Sequence, residues 1–89
     1  MTSITASQKK ILNALIFVEP HTHIAEETGL SRGEIRDDLT TLMHKNMIEV
    51  YEAEAEGIGN KVRHFDNDHP ESYYYRATKA GLDALSTSP

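Results

Sequence analysis

The feature that most constrains this 89-residue chain is a glycine that separates two short helical segments. Gly29 stands where the first segment must end, because glycine adopts the left-handed conformation that closes a helix at little cost. Ser31 and Glu34 form an S-x-x-E capping box, which satisfies free backbone amides at a helix start. The sequence therefore predicts a helical hairpin with helices at about residues 23–29 and 32–45.

Apolar spacing gives this hairpin an inner and an outer face. Ile35, Leu39 and Leu42 recur at i, i+4 and i+7, which places one stripe of the second helix against a core. Ile24 is expected to point inward from the first helix, and Thr22 to cap it by accepting from a backbone amide. This is the layout of a helix-turn-helix, in which a solvent-facing helix can enter the major groove of DNA.

The composition limits the possible fold and the expected cellular compartment. We expect residues 1–89 to form one domain with a modest core. Cysteine is absent, so neither a disulfide nor a thiolate metal site can stabilise the chain. No apolar run reaches the length of a membrane span, and the N-terminus lacks the basic-then-apolar layout of a signal peptide. A cytoplasmic protein is expected.

The net charge of −5 is unusual for a nucleic-acid binder, which is normally basic. The acidity is local, however, because residues 48–60 contain four glutamates and no lysine or arginine. Residues 1–47 and 61–89 are close to balanced. Net charge bears on association rather than on fold, so it constrains the function and not the architecture.

A first helix is predicted at residues 6–18. Thr5 and Gln8 form a T-x-x-Q capping box at its start, and Pro20 ends it, because the residue before a proline is pushed out of helical geometry. Its apolar face is formed by Ile11, Leu12, Leu15 and Ile16.

The second half of the chain reads as strands and a final helix. Residues 47–51 alternate as a strand, which leaves the core where the even positions become glutamates. Residues 57–70, rich in glycine, asparagine and proline, are predicted to form a long loop. The aromatic run at 73–77 predicts a returning strand. A helix over residues 79–85 then follows, capped by Thr78.

This order of three helices, a β-ribbon and a last helix resembles the winged helix-turn-helix regulators of the MarR, PadR and ArsR type. The resemblance rests on the hairpin at 24–42, the turn and strand start at 46–49, and the strand-to-helix segment at 75–81. It covers nearly the whole chain. It implies a mainly α fold of α+β class: a three-helix core, a two- to three-stranded wing and a short C-terminal helix.

The resemblance also implies that the second hairpin helix inserts into the major groove. On a helical wheel Gly33, Asp37, Thr40 and His44 lie opposite the core, with Arg36 and Thr41 beside them. Ser31 and Arg32 lie at the helix N-terminus, which favours a phosphate. Arginine can bridge guanine atoms and threonine can contact thymine, whereas Asp37 could accept from cytosine or repel a phosphate. The alternative is a solvated helix face with Arg36 paired to neighbouring acids.

Two further segments have nucleic-acid interpretations. Lys61, Arg63 and His64 resemble a basic wing tip that reaches the DNA backbone or minor groove. A merely solvated loop is the alternative, since the preceding glutamates must face away from phosphate. The tyrosines at 73–75 could stack on bases. Alternation along a strand and core packing explain them more simply.

Metal and catalytic sites are not expected. His21 and His23 form one histidine group, and His64, Asp66, Asp68 and His69 form a second acid–histidine group. These residue types bind borderline metals. The second group lies in a predicted loop and no cysteine supports it, so we expect no metal and no cofactor, and a pH-sensitive surface is the alternative. No phosphate loop, nucleophile motif or carboxylate pair indicates an enzyme.

The sequence thus predicts a regulator that binds specific double-stranded DNA, a repressor rather than an activator. A homodimer is expected, because one helix reads too few base pairs. The apolar parts of the first and last helices are the expected interface. The alternative is a winged-helix module that binds a basic protein partner through its acidic strand.

Overall fold

In the computed structural model, which describes residues 4–87, helix α1 (Ala6–Ala14) starts at the predicted capping box. The backbone amide of Gln8 donates to Thr5 Oγ1 over 3.1 Å, and the Thr5 amide donates to Gln8 Oε1 over 3.1 Å. The predicted end at residue 18 is wrong. The carbonyl of Leu15 accepts from the amide of Ala77 over 2.8 Å, so the sheet draws the chain out of the helix.

Helices α2 (His21–Thr28) and α3 (Arg32–His44) form the predicted hairpin. The start of α2 corrects the prediction that Thr22 caps it. The N-cap is the extended Pro20, and no side chain caps this end. The reason is that residues 19–20 form a short strand before α2, so the chain enters helical geometry earlier than the sequence pattern predicts.

Four antiparallel strands form one sheet in the order β1-β4-β2-β3. The strands are β1 (Glu19–Pro20), β2 (Ile48–Glu54), β3 (Gly57–Val62) and β4 (Tyr73–Ala77). The prediction of a loop over the whole of 57–70 is therefore wrong for its first six residues. They pair with the adjacent strand β2 in a hairpin, and the two glycines in the segment weaken its strand signal.

The β2–β3 hairpin leaves the body of the molecule, as predicted from its glutamates. Strand β2 is buried or half-buried through Tyr51 and exposed from Glu52 onward. The turn closes at Gly57, whose φ of 126° is accessible to glycine at little cost. The exposed part of the hairpin, residues 52–60, is called the acidic arm below. It carries three glutamates and no basic residue.

Helix α4 (Lys79–Thr87) follows β4 and packs on α1. Thr78 Oγ1 accepts from the amide of Gly81 over 3.2 Å, which confirms the predicted cap. Gly81 is needed for close approach, because a Cβ atom there would lie 2.2 Å from the carbonyl oxygen of Met47. A short 3-10 helix (Pro70–Ser72) precedes β4.

The core lies between the helices and the sheet. Its most buried members confirm the predicted stripe of α3, whereas Ile16, predicted to face inward, is 44% exposed because α1 ends before it. Buried hydrophobic residues are Ile11, Leu12, Leu15, Ile24, Ile35, Leu39, Leu42, Met47, Ile48, Val50, Tyr75, Ala77 and Ala84. Within residues 4–87 the architecture is thus a small α+β domain with four α-helices and a four-stranded antiparallel sheet.

Candidate nucleic-acid interface

The turn between α2 and α3 is fixed by local hydrogen bonds. Gly29 is left-handed, with φ of 70°, and its amide donates to the carbonyl of Ala25 over 3.0 Å. Ser31 Oγ accepts from the Glu34 amide and Glu34 Oε1 accepts from the Ser31 amide, both over 3.2 Å. Since Ile35 and the rest of its stripe are buried, the opposite face of α3 is directed outward.

The residues predicted to meet DNA on α3 all lie on this outer side. Ser31, Arg32, Gly33, Asp37 and His44 are exposed, and Arg36, Thr40 and Thr41 are half-buried. The two threonine hydroxyls donate within the helix, to the carbonyls four residues earlier, over 2.9 and 3.1 Å. Their donor capacity is therefore used in the free molecule, while their methyl groups and oxygen lone pairs remain available.

Both arginines of α3 have acidic partners. Arg32 forms a two-pronged ion pair with Glu71 and donates through Nη2 to the carbonyl of Asp68 over 2.7 Å. The hydrogen bond from Arg32 is the main cause that lowers the pKa of Glu71 to about 2. Arg36 Nη2 lies 3.3 Å from Asp37 Oδ1. The solvated alternative for Arg36, pairing with a neighbouring acid, thus matches the geometry of the free protein.

Lys61 is also paired, and the prediction that it lies at the tip of a wing is wrong. It lies near the end of β3, at the base of the hairpin, because the chain turns at residues 55–56. Its Nζ atom lies 3.3 Å from Glu49 Oε1, and Tyr51 donates its hydroxyl to Glu49 Oε2 over 2.5 Å. The Tyr51 hydrogen bond, followed by Lys61, lowers the pKa of Glu49.

Arg63 and His64 lie at the same base, and the fold brings them beside α3. A depression of about 210 Å³ separates the C-terminal half of α3 from the segment that follows β3. It is lined by Thr40, Met43, His44, Arg63, His64, Phe65 and Asn67. Four predicted site residues thus converge there, whereas Ser31 and Arg32 lie at the other end of α3.

Arg63, His44 and His64 have no carboxylate partner among residues 4–87. Sequence reasoning missed Met43, Phe65 and Asn67 in this lining. Met43 lies three residues from Thr40 on the same helix, which is a signal that could have found it. Phe65 and Asn67 carry no such periodicity.

The tyrosine run divides as the strand alternation predicts. Tyr75 is fully buried, and burial raises its pKa above the usual range. Its hydroxyl donates to the carbonyl of Pro70 over 2.6 Å. Phe65 packs edge-on against Tyr73 and Tyr75, with ring centroids 5.8 and 6.0 Å away. The structural explanation of the run is therefore confirmed for Tyr75, a core residue.

The histidines considered as metal ligands lie in separate pairs. His23 Nδ1 lies 2.9 Å from Glu19 Oε2, and His69 Nδ1 lies 2.8 Å from Asp66 Oδ2. The hydrogen bond that His69 donates to the Asp66 carboxylate raises the pKa of His69. In the part of the chain that the structure describes, no three acidic or histidine side chains converge as a metal site would require.

Comparison with protein-family models, curated proteins and solved structures finds no significant match to this chain. Among residues 4–87 no helix has the length and apolar character needed to cross a bilayer.

Proposed function

We propose that this chain is a winged helix-turn-helix protein that binds specific duplex DNA as a homodimer and represses transcription. The order of helices, hairpin and last helix supports the winged-helix assignment, because α2 and α3 meet across a left-handed turn and the hairpin follows α3. In this arrangement α3 enters the major groove and the base of the hairpin contacts the backbone beside it. The proposed role is binding, not catalysis.

One observation carries the proposal: the outer face of α3 and the base of the hairpin meet at a depression lined by unpaired basic side chains. Arg63, His44 and His64 supply these, and Thr40 lies among them. A DNA backbone is a regular row of phosphates, so a cation that no carboxylate neutralises is the group it would bind. Because Arg32, Arg36 and Lys61 are paired with acids, the centre of the interface shifts toward the C-terminal half of α3.

We further propose that the protein represses transcription by occupying the promoter. A small domain can block a promoter without contacting the transcription machinery. Two copies related by a two-fold axis would read two half-sites about one helical turn apart, which a single α3 cannot do.

The test is a fluorescence anisotropy titration with a pool of duplexes selected by the purified protein, repeated across salt concentrations. Arg63→Ala is expected to weaken binding and to reduce the slope of log affinity against log salt by about one phosphate contact. Lys10→Ala is the matched control, since it removes a cation from the exposed side of α1, away from the depression.

Two results would contradict the proposal. One is an affinity that does not fall as salt is added, because phosphate contacts release counterions. The other is an equal effect of the two substitutions, which would mean that general charge and not the depression governs binding.

The acidic arm favours a second candidate function, binding of a basic protein partner. Its three glutamates have no basic side chain between them, and Ile58 beside them is 51% exposed. A lysine-rich segment would satisfy this charge. This function predicts binding of a lysine-rich peptide by calorimetry, abolished when Glu52, Glu54 and Glu56 are changed to Gln. It also predicts no selective affinity for DNA.

A further inference from the structure

The segment between β3 and β4 presents acidic groups to the start of α3. Residues 66–71, called the acidic clamp below, contain two aspartates and one glutamate. Buried Pro70 anchors the clamp, because its carbonyl accepts from the hydroxyl of Tyr75 over 2.6 Å. The Asp66 carboxylate contacts His69 Nδ1 over 2.8 Å within the clamp. The clamp is thus held on the sheet by contacts independent of α3.

Arg32 is the residue of α3 that the clamp holds. Its Nε and Nη2 atoms contact the two carboxylate oxygens of Glu71, and Nη2 also donates to the Asp68 carbonyl. This two-pronged geometry is the one a guanidinium forms with a phosphate group. The side chains of Arg32 and Glu71 are 50% and 46% exposed, so an incoming ligand can reach both.

We infer, on the basis of the proposed DNA-binding function, that Glu71 is a built-in competitor of DNA that occupies the phosphate position on Arg32. Binding of duplex DNA exchanges the Glu71 carboxylate for a backbone phosphate. The clamp thereby lowers the affinity of the protein for every duplex. The discrimination between sequences is left to residues farther along α3.

Charge and exposure favour this exchange over a fixed structural ion pair. An exposed pair is weak in water, because solvent screens it and both side chains lose freedom in forming it. A phosphate in a duplex brings neighbours that other cations of the interface bind at the same time, so the exchange gains more than one contact. Without the exchange, the Glu71 carboxylate would keep the Arg32 guanidinium from a phosphate.

The decisive experiment measures the affinity of Glu71→Gln for the selected duplex. The substitution keeps the shape of the side chain and removes its charge. Affinity is expected to rise about fivefold at about 0.1 M salt, because the Arg32 guanidinium no longer has to leave a carboxylate before it binds a phosphate. The double variant Arg32→Ala with Glu71→Gln is expected to lose that gain, because the freed guanidinium is then absent.

Glu26→Gln is the matched control, since it removes the same charge from an exposed position of α2 that has no ion pair in the described chain. The inference is overturned if Glu71→Gln binds like the unmodified protein, or if Glu26→Gln gains as much. It is also overturned if the double variant keeps the gain. Absence of DNA binding by the unmodified protein and by every variant would instead overturn the proposed function itself.

A second measurement needs no substitution. The Nε–H signal of Arg32 in a proton–nitrogen NMR spectrum reports the acceptor that this group contacts. Saturation with duplex DNA is expected to move the signal, because phosphate replaces carboxylate. A signal that keeps its free-protein position in the complex would mean that Arg32 stays with Glu71.

Discussion

His21, the first residue of α2, is a buried titratable side chain close to the acidic clamp. It is 7% exposed, and its Nε2 atom has no hydrogen-bond partner. Burial, as the largest cause, lowers its pKa below 6.5, against an opposing pull from Glu71 and with a further lowering by Arg32. The folded protein therefore prefers the neutral imidazole, because a buried cation without a partner is costly.

This preference predicts a pH dependence of stability. In the folded state His21 takes up a proton at lower pH than in the unfolded chain, so the free energy of unfolding falls as pH falls through about 6.5. The free energy of unfolding of the unmodified protein, relative to that of His21→Gln, should therefore rise as the pH increases from about 5.5 to 7.5.

The comparison isolates His21, because His69, whose pKa is raised, contributes the opposite slope to both proteins. Parallel curves for the two proteins would mean that His21 titrates as it does in the unfolded chain. The prediction would then be wrong.

At the scale of the elements, Asp38 links α3 to α1, and both helices contribute buried residues to the core. Ser7 at the start of α1 donates its hydroxyl to Asp38 Oδ2 over 2.5 Å, and Gln8 Nε2 lies 3.5 Å from Oδ1. The same Gln8 completes the capping box of α1. One carboxylate of α3 therefore orients the N-terminal turn of another helix.

Removing that carboxylate should cost stability. Asp38→Ala is expected to lower the free energy of unfolding by about 1–2 kcal/mol, because the Ser7 hydroxyl and the buried side-chain amide of Gln8 lose their acceptor. Urea unfolding with a circular dichroism signal measures this. Asp37→Ala is the control: its side chain is 74% exposed and pairs with the adjacent Arg36, so a change within about 0.5 kcal/mol is expected.

Equal losses in the two variants would contradict the assigned role of Asp38. They would mean that the helix itself, and not the link to α1, is sensitive to substitution at these adjacent positions. The pair is informative because both residues are aspartates on the same helix.

Across the whole molecule, charge is separated more than the net value of −5 suggests. Glutamates project on the acidic arm and three carboxylates lie on the acidic clamp, whereas Arg63 and two histidines line the depression beside α3. Exposed charges separated by more than about 10 Å are screened at moderate salt. Under the proposed function, the charges around the depression, including Asp66 between the lining residues Phe65 and Asn67, would weigh more than the net charge in binding a phosphate backbone.

The proposed dimer has its own prediction at this scale. Phe17, three residues beyond the end of α1, is 76% exposed next to the 44% exposed Ile16, and a second copy would bury both. Light scattering should give twice the mass of one chain, and Phe17→Ser should weaken dimerisation about tenfold. Ile58→Ser, on the acidic arm, is the control and should leave the mass unchanged. A monomer at all concentrations would contradict the dimer.

How far the sequence predicted the fold differs between elements. The starts of α1 and α3, the left-handed turn at Gly29 and the core stripe of α3 were all correct, because each depends on contacts within three or four residues. The ends of elements were less accurate. Helix α1 stops early because the sheet binds the carbonyl of Leu15, and β3 forms because β2 lies beside it.

The candidate site was likewise predicted only where local spacing decides the position of a residue. The sequence placed Thr40 and His44 on the outer face of α3, since helical periodicity decides that. It did not place Arg63 beside them, because a hairpin whose length the sequence does not give lies between α3 and Arg63.

The sequence by itself thus determined the starts of α1 and α3, the turn at Gly29 and the direction of the apolar face of α3, all of which are local properties of the chain. The tertiary structure alone decided which charges are free. Arg32 meets Glu71 across 39 residues, and Lys61 meets Glu49 across 12. No spacing rule links residues so far apart, because their approach depends on how the helices and the sheet pack around the core.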